Sequence, residues 1–114
     1  MTEREKAGII TDNVCRYFNV NKRELKTTSR RREIVEPRQF VFYFCRKLTS
    51  LTTPALGAMF NKDHATILHG CRNVESLICF NGYEKKAKKM ESSILVDFDL
   101  EDWMSRMGTM ITDQ

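Results

Sequence analysis

Between Asp63 and Phe80 the chain places Ile67, Cys71, Val74 and Ile78 at successive steps of four, three and four residues, and no other pattern constrains its fold as strongly. At about 100° per residue these four fall on one narrow stripe of an α-helix. Ala65, His69, Arg72 and Asn73 fall on the far side, and Thr66 lies at the edge. Asp63 and His64 stand at the tip, where backbone N–H groups have no intrahelical partner. Asp63 is an N-cap by residue type, and Asn81-Gly82 supplies the stop. Such a segment is a helix lying on a core with its polar side outward.

The same periodicity recurs through the chain and predicts an all-α fold. Ile9, Ile10, Val14, Tyr17 and Phe18 define a first helix ending near Phe18-Asn19. Asn21 is expected to cap a short helix through Leu25 and Lys26, with Glu24 spaced as in a capping box. Thr27 to Glu33 is polar, basic and without periodicity, and reads as a loop. Pro37 suits the first position of the next helix, which runs through Phe40, Val41, Phe44, Cys45 and Leu48. The aromatic run from Phe40 to Phe44 has strand propensity as well; the length to Leu48 and the proline favour helix. Thr53 is expected to cap a helix starting at Pro54, with Leu56, Met59 and Phe60 apolar, followed by the turn Asn61-Lys62. A further helix is predicted from Tyr83 to about Ser93. The segment from Thr53 to Phe60 and the helix from Asp63 then form a helix-turn-helix within a compact bundle.

At 114 residues the chain is expected to form one core, in 1–93, with an acidic amphipathic extension in 94–114. Charge supports that division: residues 1–50 carry +6, residues 51–93 carry +2, and residues 94–114 carry −4. A basic body points to a polyanionic partner. No apolar run approaches the roughly 20 residues that span a bilayer, and the polar start argues against a secretory signal. A cytoplasmic protein without a membrane partner is expected. Cys15, Cys45, Cys71 and Cys79 form no Cys-x-x-Cys pair and sit among apolar neighbours, which predicts reduced, buried thiols.

The exposed residues at the start of the Asp63 helix have chemistry suited to a DNA major groove. A carboxylate accepts from cytosine N4, a histidine donates or packs on a thymine methyl, and a threonine offers a hydroxyl and a methyl. A capping Asp63 and two ordinary surface histidines would account for these residues taken singly. Their coincidence behind a helix-turn segment argues for the groove. Metal binding fails on angle, because His64 and His69 lie about 140° apart on one helix. Gly8, Gly57, Gly70, Gly82 and Gly108 form no phosphate loop. No catalytic set, cofactor site or metal site is expected.

Residues from about Ile9 to Ser93 resemble the C-terminal DNA-binding domain, domain IV, of the bacterial chromosomal replication initiator DnaA. The likeness rests on the short helix ending in Leu25 before a basic loop, on Pro37-Arg38-Gln39, and on the run Lys62-Asp63-His64-Ala65-Thr66-Ile67-Leu68-His69-Gly70-Cys71-Arg72. That run is similar to the family's Asp-His-Thr-Thr signature followed by Val or Ile, Leu or Ile, and His. The resemblance implies an all-helical fold related to that of Trp repressor and sequence-specific binding of double-stranded DNA at a short A·T-rich box. It implies major-groove or flanking phosphate contacts from Asp63, His64, Ala65, Thr66 and His69. It implies a minor-groove arginine at Arg32, with Arg30 and Arg31 extending the loop, and phosphate contacts from Arg38 and Lys62. Ala65 replaces the usual first threonine and keeps a methyl. Glu36 stands where an arginine often precedes the proline, and the turn before Asp63 is one residue shorter than the common one.

Nothing in the chain resembles the family's ATPase domain, so the resemblance implies no ATP binding and either a freestanding DNA-binding protein or a fragment. The ending beyond Ser93, which does not resemble the family, favours a freestanding protein acting in replication initiation or its regulation. Asp99 is expected to cap a last helix with an apolar stripe of Leu100, Trp103, Met104, Met107, Met110 and Ile111. That stripe either packs on the domain's own core or serves a protein partner or self-association through 94–114. The alternative function is a protein-interaction module that keeps the fold without specific DNA binding.

Overall fold

The computed structural model describes residues 1–112, with side chains through residue 108. Five α-helices and one 3-10 turn follow in order: α1 Glu3–Phe18, the 3-10 turn Lys22–Lys26, α2 Arg32–Leu48, α3 Thr53–Phe60, α4 His64–Phe80 and α5 Glu84–Thr112. Local chemistry sets most of these limits. Thr2 caps α1 by accepting from the Glu5 N–H at 3.1 Å, and Asn19 ends it in the left-handed region at φ 56°. Asn21 caps the 3-10 turn by accepting from the Arg23 N–H at 2.9 Å. The Glu24 carboxylate turns away from any capping box and lies 3.6 Å from the Arg31 guanidinium.

α2 is the central element. Ile34, Phe40, Val41, Phe42, Phe44 and Cys45 are all buried along it, with α1 and α4 packed against it. Its buried residues spread over more than half of its circumference, as suits the centre of a bundle, while Arg32, Glu33, Arg46 and Lys47 keep the remaining side in water, and the aromatic run is helix. Phe40 meets Phe18 at 5.5 Å and stacks with Tyr83 at 6.2 Å. Phe42 meets Phe60 edge-on at 5.4 Å. Burying each such ring contributes roughly 1.5–3 kcal/mol.

Several expected boundaries move. α2 starts at Arg32, so Pro37 lies inside the helix rather than at its first position. The proline removes one N–H and so one hydrogen bond, while Ile34, only 1% exposed, anchors the extra turn in the core. The cap of α3 is Thr52, whose hydroxyl accepts from the Ala55 N–H at 3.2 Å, with Pro54 one position further in. Cys15, Cys45 and Cys71 are buried as expected, and burial pushes the Cys15 and Cys45 thiols up to about 11 and about 12. Cys79 is exposed, contrary to expectation, because it sits beyond the buried side of α4.

The largest correction is at the C-terminal end. α5 runs unbroken through Ser93 and Asp99, where a stop and a new cap were expected. Ala87, Met90 and Ile94 are buried and Phe98 packs against the core. That i, i+3, i+4 stripe carries the helix across the expected break. Asn13 of α1 accepts from the Ser93 hydroxyl at 2.6 Å and donates to the Asp97 carboxylate at 2.8 Å. Beyond Phe98 the stripe of Leu100, Trp103, Met104 and Met107 stands exposed instead of joining the core; Met110 and Ile111 lie outside the described side chains. No helix among the described residues is long and apolar enough to cross a membrane.

Candidate nucleic-acid interface

Two close approaches set the position of α4. A Cβ on Gly57 would meet the Lys62 carbonyl oxygen at 2.5 Å, so the α3–α4 turn closes only over a residue without a side chain. Asn61 takes the left-handed conformation at φ 55°, and the Lys62 N–H donates to the Gly57 carbonyl at 2.9 Å. At the second approach, a Cβ on Gly70 would lie 3.1 Å from both Gln39 Cγ and Phe42 Cδ2, where α4 crosses α2. The Asn73 amide donates to Gln39 Oε1 at 2.6 Å and ties the crossing.

This packing buries Ile67, Gly70, Cys71 and Val74 and leaves His64, Ala65, Thr66, His69 and Arg72 exposed. The side predicted polar is the side facing water. Asp63 caps the helix, its Oδ1 accepting from the Thr66 N–H at 2.7 Å. Hydrogen bonds from the Thr66 hydroxyl and backbone hold the Asp63 carboxyl below the ordinary carboxylate range. Asp63 and Thr66 are thus locked to one another at the helix tip, beside the exposed His64 and Ala65.

The basic segment before α2 is strapped to this same end of the molecule. Arg38 was expected to contact phosphate; instead it is buried, at 6% exposure. Its Nε donates to the Leu25 carbonyl at 2.8 Å, Nη1 to Ser29 at 3.2 Å and Nη2 to Thr27 at 3.0 Å. Burial lowers its pKa from the ordinary arginine value. Lys62, half-buried, donates from Nζ to the same Thr27 carbonyl at 2.6 Å. One carbonyl therefore joins α2, the α3–α4 turn and the segment leading to Arg30. Burial and the nearby Arg38 charge lower the Lys62 pKa.

Arg30, Arg31 and Arg32 are all exposed, in three different settings. Arg30 lies in the connecting segment. Arg31 is the N-cap residue of α2, with its guanidinium 3.6 Å from Glu24 and 3.7 Å from Glu33. Arg32 is already helical and lines a shallow groove with Glu36, Gln39, Asn73 and Leu77, beside the middle of α4 rather than its tip. The structure thus brings Lys62, Asp63, His64, Ala65 and Thr66 together, with His69 on the following turn. It fastens the Arg30 segment nearby and removes Arg38 to the interior. The buried Arg38 had a legible signal, since Ile34, Arg38, Val41 and Cys45 share one helical stripe. The carbonyl cage of Leu25, Thr27 and Ser29 had none.

Comparison with known proteins places this arrangement. The family described as bacterial dnaA protein helix-turn-helix matches residues 8–74. A chromosomal replication initiator protein DnaA from Lachnoclostridium phytofermentans is 44% identical over 68 residues, covering 59% of this chain and 15% of that protein. The protein of that name from Desulfatibacillum aliphaticivorans is 41% identical over 75 residues, 66% of this chain and 16% of its own length. One from Thermoanaerobacter pseudethanolicus is 29% identical over 99 residues, 87% of this chain and 20% of its own. The chain spans about a fifth or less of the length of these relatives.

Proposed function

The chain belongs to the bacterial DnaA helix-turn-helix family, and from that premise we propose that it binds double-stranded DNA sequence-specifically at a short A·T-rich site resembling the initiator's box. The observation that carries this reading is the clean division of α4, with Ile67, Cys71 and Val74 in the core and His64, Ala65, Thr66 and His69 exposed beyond a rigid cap. A recognition helix needs that division, because base edges are read by side chains projecting from a backbone held still. The first turns of α4 enter the major groove, and Arg30 to Arg32 approach the adjacent minor groove, whose negative potential is concentrated in A·T-rich DNA. Lys62 and Asp63 lie at the groove edge, where the cation contacts phosphate. Arg38 acts from inside, by holding the segment that presents Arg30. The process served is replication initiation or its regulation.

Titration of labelled duplexes across salt tests the reading. Tight binding to an A·T-rich box, falling linearly in log–log form as salt rises, is the expected result. Equal binding to a scrambled duplex would overturn the sequence-specific claim and favour a protein-interaction module. Arg32→Ala should weaken A·T-rich sites most; a uniform loss across sequences makes it a phosphate contact only.

A further inference from the structure

α5 carries two apolar stripes on different sides. Ala87, Met90, Ile94 and Phe98 face the body of the molecule. Val96, Leu100, Trp103 and Met107 are 63%, 50%, 54% and 36% exposed, and at about 100° per residue they cluster roughly 150° away from the first stripe. Their steps of four, three and four residues are the a/d spacing of a heptad, the pattern of a helix whose seam faces another helix. With Leu100 and Met107 as a, and Val96 and Trp103 as d, the flanking g positions hold Asp99 and Arg106, both exposed. The flanking e positions hold Asp97 and Met104.

We propose that this outer face is the seam of an antiparallel homodimer. Charge complementarity selects both the occupant and its direction. When two copies of α5 run antiparallel with Leu100 layered on the second copy's Trp103, Val96 layers on the second copy's Met107. The two-fold axis repeats both layers. In that register g faces g, so Asp99 lies beside the second copy's Arg106, and Arg106 beside the second copy's Asp99. In a parallel pair each g position flanks an e position of the second copy, so Asp99 lies beside Met104 and gains no opposite charge. Residues 101–108 are exposed throughout, so the seam is open to a second chain. The molecule is 51 Å long against 30 and 24 Å across.

Sedimentation of the full chain from low micromolar to submillimolar concentration tests the seam, with Trp103, the single tryptophan, as reporter. A reversible monomer–dimer equilibrium is expected, with Trp103 emission shifting to shorter wavelength as dimer forms. Asp99→Arg and Arg106→Asp should each weaken association about tenfold, because each replaces two opposite-charge pairs by like-charge pairs. The double variant Asp99→Arg/Arg106→Asp should recover most of the parental affinity. All these positions are exposed, and unchanged helical circular dichroism together with unchanged duplex binding by the monomer keeps misfolding distinct from loss of the seam. A monomer at every concentration overturns the proposal. So does a dimer indifferent to Trp103→Ser. Association unchanged by Asp99→Arg and Arg106→Asp, or a double variant that binds no more tightly than either single one, places the stripe on some other surface, and also overturns it.

Discussion

The start of α4 and the outer half of α5 are both exposed helical surfaces, and they are built in opposite ways. At α4 the outward residues are polar, and everything behind them is fixed by the Gly57 and Gly70 approaches, the Asn73–Gln39 bond and the carbonyl cage of Arg38. At α5 the outward residues are apolar and flanked by acids, and the body reaches along the helix only as far as Leu100 and Glu101, which share a shallow groove with Ile9, Asn13 and Arg16 of α1. A polar surface on a rigid base can discriminate among base edges, since each misplaced donor or acceptor costs a hydrogen bond. An apolar stripe on a projecting helix gains by being covered, and it requires a partner of matching shape more than a fixed frame. Charge divides the two as well: residues 51–93, which hold α4, carry +2, and residues 94–114 carry −4.

Substitutions can break or sharpen this contrast. Ile94→Ala, on the buried side of α5, is expected to cost about 2–5 kcal/mol in denaturant unfolding. Leu100→Ala, on the outer side of the same helix, should stay within about 0.5 kcal/mol when measured dilute enough to keep one copy. Equal losses would erase the distinction between the two faces. Arg38→Ala should cost about 2–3 kcal/mol, because the buried carbonyl groups of the cage lose charged donors. Arg38→Lys should recover little of it, since an ammonium cannot match the three-way guanidinium fork. Full recovery by lysine would mean that only charge matters there.

Smaller effects are expected at the surface of α4. His69→Ala should leave unfolding unchanged, weaken binding of the preferred duplex by about 1–3 kcal/mol and relax preference at one base pair. Equal weakening on every sequence would show that His69 does not read a base. Asp63→Ala should lower the melting temperature at neutral pH. The folded Asp63 carboxyl titrates below its ordinary value, so its contribution is present above the unfolded pKa of about 3.9 and disappears as pH falls through the folded one. Melting curves of parent and variant should therefore converge in strong acid, and a gap that persists there would assign the loss to something other than the ionised cap.

Much of this was legible in residues close together in the chain. Asn19, Asn21, Asp63 and Asn81 end or start elements where their types suggest, because capping involves a side chain and a backbone group only a few positions apart. The polar and apolar sides of α4 follow from Ile67, Cys71 and Val74 alone, since periodicity is a local property. Pro37 misled because its usual preference for a first turn was outweighed by burial of Ile34. Asp99 misled because a capping residue type does not stop a helix whose Ile94 and Phe98 continue onto a core.

The sequence by itself determined a helical chain with a capped, two-sided helix at Asp63 and a basic body joined to an acidic end. Only the tertiary structure decided that Arg38 is an internal strap and not a surface cation, because the carbonyls of Leu25, Thr27 and Ser29 reach it from across a turn. Only the tertiary structure decided which stripe of α5 is buried. Two apolar stripes compete along that helix, and the choice rests on Asn13 and the α1 surface some eighty residues earlier in the chain, a separation of 84 between Asn13 and Asp97.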